Sequence, residues 1–526
     1  MNIHSLDIKK NQKKEILILL ACLIIGFTLR FYTFDQKSLW MDEIYTFNDS
    51  RYNLKDQISF YKDWPTFLHP PLFFILTHLF YPFTTPERDL RIIPLIFGTL
   101  AIPMMYLLSR SFAPNIALPC TLSLTFMAYH ISLSQDGRSY SFLLFLGIAA
   151  LDFFMKHLIT SKQRYLLLVA LFFALSFHTS YSSIPFIALS QILWFYRSKE
   201  NETLSLKQTF HSFLILNGLL LLLCLPWLLF LAMNYKGDAL MDPIHTENPG
   251  SLWSIIYGVF NDWVPHAPLM IASAILFILL PFFSKNQKNA IILLALFILP
   301  VAGLSLFCKF FNVTHFITSR YFINFIPLFF ISIFLSLSNL ETRFERLKKS
   351  LRLKPLFVIL FIASNLVILP FYYRAEKEDK RGLANYLKVH LREGDKIIVS
   401  SISDISALLH YFGINPTYRH YIIPFYKFPN GEEEYRISFI YRNTVFTIHR
   451  PKTCCGQYIA DGGRLWIVVR KQTAKIFQES SSPIVLKGYF DGSFLNYIRF
   501  PVDASIYLFL LDPQSPNEKG IDLPIE

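Results

Sequence analysis

The sequence predicts a polytopic α-helical membrane protein of about eleven transmembrane helices, followed by a C-terminal α/β domain. Three observations lead to this fold class. The chain of 526 residues is 53% hydrophobic with a mean hydropathy of +0.38, which is too apolar for a soluble protein of this length. Long apolar runs recur through residues 1–373. From residue 374 onward the runs give way to mixed sequence with strand-like alternation.

The apolar runs predict the individual helices. The first is followed by Trp40, Asp42 and Glu43 rather than by small residues, so we expect it to remain as a helix and not to be cleaved as a signal peptide. The short runs 165–178 and 183–196 can also be interpreted as one long helix kinked at Pro185. The runs are 16–34, 91–109, 115–133, 139–156, 165–178, 183–196, 210–232, 267–284, 290–307, 318–338 and 355–373.

The positions of the basic residues decide the orientation. If the N-terminus with its lysines at 9–14 is cytoplasmic, alternation through eleven spans puts every strongly basic short loop inside, including Arg110 and the cluster 343–354. The one-helix interpretation of 165–196 would put that cluster outside, so we reject it. We therefore expect a multi-pass protein of the cytoplasmic (inner) membrane with an extracytoplasmic C-terminal domain. The net charge of +13 belongs to the inner loops, and no nucleic-acid partner is expected.

Two domains follow from this topology. Residues 1–373 form the membrane module, in which 35–90 is a long first outer loop with amphipathic helices, and 374–526 form the outer α/β domain. Within that domain the pattern predicts helices at 382–391 and 402–412 and strands at 395–400 and 464–469. There is no GxGxxG or P-loop, so no nucleotide site is expected.

Four short motifs lie on the outer face in this topology. A carboxylate there can accept a proton, and arginine binds phosphate oxygens bidentately and keeps its charge. Each motif alone is a weak signal, but their order and common side point to one site. They are Leu39-Trp40-Met41-Asp42-Glu43, Leu68-His69-Pro70-Pro71-Leu72, Gln135-Asp136-Gly137-Arg138-Ser139-Tyr140 and Ser319-Arg320-Tyr321.

With these motifs in this order, the sequence resembles the GT-C membrane glycosyltransferases, which include protein O-mannosyltransferases and bacterial lipid A aminoarabinose transferases. The resemblance covers nearly all of the membrane module. It implies a GT-C fold and the transfer of a sugar from a polyprenyl-phosphate donor to an acceptor hydroxyl on a lipid, a glycan or a protein. A donor carried by a membrane lipid agrees with the missing nucleotide site.

The resemblance also implies roles for individual residues. Asp42 corresponds to the general base, and Glu43 is a second catalytic candidate. Either Glu43 or His69 would orient the acceptor or help to hold a divalent cation. Arg138, Arg320 and Tyr321 would bind the lipid phosphate, while His69, Pro70 and Tyr140 would belong to the substrate region. Asp42, Glu43 and His69 are candidate ligands of a divalent metal cation, and no other cofactor is predicted. Neighbouring helical side chains diverge by roughly 100°, so Asp42 and Glu43 should not face the same atom.

Each candidate residue has a structural alternative. Asp42 and Glu43 would also suit the start of a helix, and His69-Pro70-Pro71 would suit an ordinary helix start. Arg138 and Arg320 could reach lipid head groups, although the positive-inside bias does not explain arginines on the outer side. Arg30 is a third phosphate candidate, and a buried partner such as Asp35 would explain it equally well.

The main alternative function is a multi-span transporter or lipid flippase. A transporter predicts ionisable residues in mid-span, internal repeats and helices broken near the bilayer midplane. The sequence shows no such repeat, and its charges gather at one face. A membrane-tethered sensor, with 374–526 as its binding module, would not need eleven spans.

Overall fold

This computed structural model of the protein describes residues 3–63, 69–196, 205–234, 252–310, 318–344, 352–414, 423–428, 433–451, 463–479, 484–492, 504–515 and 519–525. The chain forms two compact units. The first is Met1–Phe34 with Ser50–Pro370, and the second is Asp35–Asp49 with Phe371–Glu526. Residues 35–49 are therefore grouped with the C-terminal domain, although they come before most of the membrane helices in the sequence. Residues 345–351, in the middle of the predicted basic cluster, lie outside the described residues.

The helices are α1 (Ile3–Phe31), α2 (Met41–Ser50), α3 (Leu54–Asp63), α4 (Leu72–His78), α5 (Pro86–Asp89), α6 (Ile92–Phe112), α7 (Ala117–Phe126), α8 (Ala128–Ser134), α9 (Tyr140–Thr160), α10 (Gln163–Thr179), α11 (Ser183–Ser190), α12 (Leu206–Asn234), α13 (Leu252–Trp263), α14 (Ala267–Phe283), α15 (Gln287–Phe310), α16 (Ile326–Arg343), α17 (Leu353–Arg374), α18 (Lys380–His390), α19 (Ile402–Tyr411) and α20 (Lys471–Glu479). Short 3-10 helices lie at Pro114–Ile116, Gln191–Phe195 and Ser319–Phe325. The strands are β1 (Lys396–Val399), β2 (Phe425–Lys427), β3 (Glu433–Tyr441), β4 (Thr444–Pro451), β5 (Leu465–Val469), β6 (Ile484–Phe490) and β7 (Ile506–Leu511).

Among the described residues, six helices are long and apolar enough to cross a membrane, or up to eight if each of two bent pairs is one span. They indicate an integral membrane protein. Every predicted run overlaps a helix, but the number eleven is not confirmed, because α10 has 17 residues and Ser183–Phe195 is also short for a span. The six helices are Pro86–Phe112, Tyr140–Thr160, Leu206–Asn234, Gln287–Leu306, Ser319–Arg343 and Leu353–Arg374, and the bent pairs are Pro114–Phe126 with Ala128–Ser134 and Ile255–Trp263 with Ala267–Phe283.

Burial separates the central helices of the first unit from the peripheral ones. The apolar stretches of Tyr140–Thr160 and Ser319–Arg343 are 78% and 83% buried, whereas that of Leu206–Asn234 is 22% buried. A membrane helix that is apolar all round can lie either in the bundle or against lipid, so the sequence alone does not distinguish the two positions. The most buried helices begin at two of the predicted motifs, since α9 starts at Tyr140 and the other stretch starts at Ser319.

The second unit contains a mixed sheet of seven strands in the order β2-β3-β4-β1-β5-β7-β6. Strand β1 is parallel to β4 and β5, and the other pairs are antiparallel. Helices α18 and α19 cover one face and α20 covers part of the other, so every residue of β5 and β7 is buried. The predicted C-terminal α/β domain is confirmed, with two helices and two strands at the expected places.

Candidate functional site

The chain bends between α7 and α8, and the Gln135–Tyr140 motif begins directly after α8. Met127 is extended, and the two helices meet at 59°. The bend leaves carbonyl groups at the end of α7 without helical partners. The buried Arg30 supplies donors, because Nη1 donates to Thr125 O at 3.2 Å and Nη2 donates to Leu124 O at 3.1 Å. Arg30 therefore has a structural function at this bend.

The start of α8 has a partner of its own. The amide of Ala128 donates to the side-chain oxygen of Asn365 at 2.8 Å, and Asn365 is buried on α17. A backbone amide inside a membrane protein needs such an acceptor, because no water is available to replace it. Arg30 and Asn365 together satisfy groups on both sides of the bend.

The Gln135–Tyr140 motif is fixed to the end of α1. Gln135 Nε2 donates to the carbonyl oxygens of Arg30 at 3.1 Å and Tyr32 at 2.5 Å. The following turn is tight, since the Arg138 amide donates to Asp136 O at 2.6 Å. Asp136 is buried, whereas Arg138 and Tyr140 are partly exposed. The turn thus presents an arginine and a tyrosine at the start of α9.

The structure brings Tyr140 close to Arg320, which with its neighbour Tyr321 comes much later in the chain. The guanidinium carbon of Arg320 lies 5.9 Å from the ring centroid of Tyr140 and 5.9 Å from that of Tyr321. These distances allow cation–π contacts with two rings. Arg320 is partly exposed, so its charge can still reach an anionic ligand.

Asp262 was missed by the sequence reasoning. Its carboxylate accepts a hydrogen bond from Ser319 Oγ at 2.5 Å, and the same hydroxyl lies 2.7 Å from Tyr129 Oη. Ser319 precedes Arg320, so these contacts fix the beginning of the 3-10 helix that carries the arginine. A polar Asn261-Asp262 pair near the end of an apolar helix was the available signal.

His69 and Pro70 lie just before α4. His69 is exposed with its ring 6.5 Å from that of Phe74, and Pro70 is buried. Pro71 precedes the first helical residue, as in the helix-start alternative. Leu68 of this motif lies outside the described residues.

Asp42 and Glu43 lie in the first turn of α2, which belongs to the second unit. The Glu43 side chain is 1% exposed and accepts a hydrogen bond from the Trp40 amide at 3.3 Å, as a capping glutamate does. Asp42 is partly exposed. The alternative that the acidic pair marks a helix start thus explains Glu43, while Asp42 has the accessibility that a general base needs.

Tyr45 is on the same helix as Asp42. Burial, followed by the negative charge of Asp42, raises the pKa of the Tyr45 hydroxyl to about 12. The phenol therefore stays protonated near neutral pH. Of the two carboxylates in this turn, that of Asp42 is the more accessible to a substrate.

The residues proposed as metal ligands do not form a complete set. Among the described residues, no group of three or more His, Cys, Asp or Glu side chains could hold a metal ion. Carboxylate and imidazole donors would suit a divalent cation, but a protein site normally offers several of them together.

Two solved structures share this architecture over almost the whole chain. Apo ArnT from Cupriavidus metallidurans matches with a TM-score of 0.55 and 12% sequence identity over 96% of this chain and 99% of ArnT. The chain has the ArnT fold. ArnT from the same organism bound to undecaprenyl phosphate matches with a TM-score of 0.53 and 12% identity over 95% of this chain and 98% of ArnT.

The likeness to ArnT, an aminoarabinose transferase, confirms the GT-C fold predicted from the motifs. Both parts of the prediction, the membrane helices and the C-terminal sheet domain, lie within the matched length. No protein-family model matches the sequence, and no curated protein matches it. The fold is therefore recognised through structure and through a few short motifs rather than through overall sequence similarity.

Proposed function

We propose that the protein is a membrane glycosyltransferase that moves a sugar from a polyprenyl-phosphate donor to an acceptor hydroxyl at the outer face of the cytoplasmic membrane. The observation that carries the proposal is a partly exposed Asp42 in the first turn of α2, in a chain with the ArnT fold. ArnT bound to undecaprenyl phosphate supports a lipid-phosphate donor for this fold. A hydroxyl of a lipid, glycan or protein is the acceptor.

Asp42 is the general base in this mechanism. The acceptor oxygen attacks C1 of the sugar while the bond from C1 to the phosphate oxygen breaks, and the acceptor proton passes to a carboxylate oxygen of Asp42. The electron pair of the broken bond leaves with the phosphate, as polyprenyl phosphate. Glu43 serves the same step by capping the helix that carries Asp42.

Arg138 and Arg320 bind the leaving phosphate. A phosphate group is already a good leaving group, so fixed positive charge is more useful than an acid catalyst. Arginine keeps its proton and binds two phosphate oxygens at once. Tyr140 and Tyr321 flank Arg320 and restrict its guanidinium. His69 and Pro70 contribute to the substrate region.

The break between α7 and α8 raises the alternative function, a transporter or flippase, since such proteins use helices broken within the membrane. In transporters the freed backbone groups face the substrate or ion. Here the carbonyls of Leu124 and Thr125 and the amide of Ala128 bond to Arg30 and Asn365. The break is filled by the protein's own side chains, which favours the transferase.

The test is an Asp42→Asn variant of the full chain in lipid nanodiscs, supplied with polyprenyl-phosphate sugars and membrane acceptors. Release of polyprenyl phosphate is followed by mass spectrometry. We expect turnover to fall by roughly 10²-fold or more, because the general base is lost, while donor binding is unchanged. Asp56→Asn, which alters an exposed carboxylate on α3, is the matched control and should keep full turnover.

Normal turnover by Asp42→Asn would refute the base assignment. A second comparison addresses the function itself, through lipid and glycan mass spectrometry of membranes with and without the protein. Unchanged lipids and glycans together with altered uptake of a solute would show a transporter instead.

A further inference from the structure

The segment that leads into α2 has an acceptor for each of four successive amides. Ser38 N donates to Glu376 Oε2 at 3.1 Å, and Leu39 N donates to Tyr411 Oη at 2.7 Å. Met41 N donates to Glu378 Oε2 at 3.3 Å, while Trp40 N uses Glu43 within the helix. Met41 is the first residue of α2, and the first amides of a helix have no intrahelical acceptor, so Glu378 completes the helix start. Glu376 and Tyr411 bind the amides of the two residues before Trp40.

Side-chain contacts reinforce the same attachment. Ser38 Oγ accepts a hydrogen bond from the Arg381 amide at 3.1 Å and lies 3.2 Å from Tyr411 Oη. The Lys377 ammonium lies 4.1 Å from the centroid of the buried Trp40 ring, within cation–π range. Both the backbone and the side chains before Asp42 are therefore fixed within the second unit.

One of the acceptors, Glu378, is itself held by two cations. Its carboxylate lies 3.0 Å from Lys380 Nζ and 3.1 Å from Arg470 Nη2. Both cations also contact the fully buried Asp404, at 3.6 Å and 2.9 Å. Burial lowers the pKa of Arg470, but the charges of Asp404 and Glu378 outweigh it and leave that pKa raised. The cluster pairs two acids with two bases, so Glu378 has little freedom to move.

We propose that the C-terminal domain is the positioning element of the transfer reaction, and that Tyr411, Glu376 and Glu378 set the direction of the Asp42 carboxylate. The inference rests on the function proposed above. Asp42 follows Met41 directly, so a shift of the helix start moves the carboxylate by a similar amount. Displacements of about 1 Å at a reacting group are enough to reduce turnover strongly. The three side chains are positioning residues and do not touch the substrate.

The test is Tyr411→Phe in the full-length protein, which keeps the ring and removes only the hydroxyl that binds Leu39. We expect amide hydrogen exchange in a peptide covering 38–43 to accelerate several-fold, on the order of tenfold. We expect kcat for sugar transfer to fall on the order of tenfold with KM for the lipid donor unchanged. Tyr386→Phe, in the same unit with its ring 4.1 Å from that of His390, is the matched control and should change neither quantity.

Glu376 provides a second variant through the amide of Ser38. Glu376→Gln keeps an acceptor oxygen for this amide and should retain the kcat of the wild type, whereas Glu376→Ala removes the acceptor and should lower kcat. A purely structural role for the domain would change protein yield and thermal stability without this difference between the two variants.

The outcomes separate the two proposals. Unchanged exchange at 38–43 in Tyr411→Phe, or accelerated exchange with unchanged kcat, overturns the positioning role while a defective Asp42→Asn still supports the proposed function. Normal turnover by Asp42→Asn overturns the proposed base and the positioning role with it. Accelerated exchange with a lower kcat in Tyr411→Phe, and neither change in Tyr386→Phe, supports both.

Discussion

Asp42 and Glu43 are adjacent in the sequence and have different surroundings. Glu43 is buried against the amide of Trp40, whereas Asp42 is partly exposed. Helical geometry predicts that two neighbours diverge, but it does not say which of them points inward. That choice depends on the residues packed against α2, which come from the other end of the chain.

Glu376 makes the second unit sensitive to pH. Burial, followed by the charge of Asp379, raises the pKa of Glu376 from 4.5 to about 7. The folded protein therefore binds this proton more tightly than the unfolded chain does. The stability that the proton provides is fully present below about pH 4.5 and is lost as the pH rises through about 7. We expect the Tm of the wild type to fall, relative to that of Glu376→Gln, as the pH rises over this range.

The measurement is thermal unfolding of both proteins in the same lipid or detergent across the pH range. The difference between their Tm values should change between about pH 4.5 and about pH 7 and level off on either side of that range. A constant difference between the two proteins would show that Glu376 has an ordinary pKa.

Among the elements, the bent α7–α8 pair departs most clearly from the prediction of one continuous span over 115–133. The residues on either side of Met127 include no glycine or proline, so the local sequence contains no signal for a helix break. The bend is stabilised by Arg30 and Asn365, which are 95 and 237 residues away from their partners. Hydrophobic runs are local features and can be recognised in the sequence. Hydrogen bonds between residues so far apart in the chain leave no local sequence pattern.

The hairpin of β3 and β4 shows a signal that was available in the sequence. Arg442 and Asn443 both have positive φ and join two strands that pair from Glu434 to Pro451. Two-residue hairpin turns favour asparagine at such positions. The apolar β1 and β5 were predicted because their central position requires continuous apolar sequence, whereas the half-exposed β3 and β4 lack such a run.

A glycine sets the spacing between α6 and α8. A Cβ atom at Gly98 would lie 2.2 Å from Ser134 Oγ and 2.7 Å from Ser134 Cβ, closer than real contacts allow. We expect Gly98→Ala to separate the helices and to reduce the free energy of unfolding by roughly 1–3 kcal/mol. The measurement is thermal unfolding in nanodiscs.

Gly218→Ala on α12 is the control for this substitution. In the part of the chain that the structure describes, no atom beyond the helix's own backbone and the adjacent residues lies within 4 Å of a Cβ at Gly218, so alanine should be neutral or should stabilise the helix by up to about 1 kcal/mol. Equal Tm changes in the two variants would contradict the close approach at Gly98.

For the whole molecule, the sequence predicted the positions of the helices better than the number of membrane crossings. The apolar runs are read directly from composition, but α10 and the segment Ser183–Phe195 are short for spans. Charge supports two separate crossings there, since a single crossing would reverse the basic loops. The candidate site was predicted as four motifs, yet the contacts between residues 38–41 and residues 376–411 were not, because no local sequence pattern encodes contacts over such separations.

The orientation of the chain in the membrane can be tested with reporter fusions. We expect a reporter that is active only outside the cytoplasm to be active when fused to the C-terminus. The same reporter placed after Arg110, in the last turn of α6, should be inactive and serves as the control. Activity at Arg110 and none at the C-terminus would reverse the proposed topology.

The assignment of residues 35–49 to the second unit has a consequence for biosynthesis. The Leu39 amide leaves the ribosome 372 residues before Tyr411, the hydroxyl that accepts its hydrogen bond. At a synthesis rate of about 5–20 residues per second, that interval is roughly 20–70 s. During this time the nascent chain can insert its membrane helices while the amides of residues 38, 39 and 41 still lack their acceptors. A chain that terminates before Glu376 would contain the candidate base but none of the C-terminal contacts to the segment that precedes it.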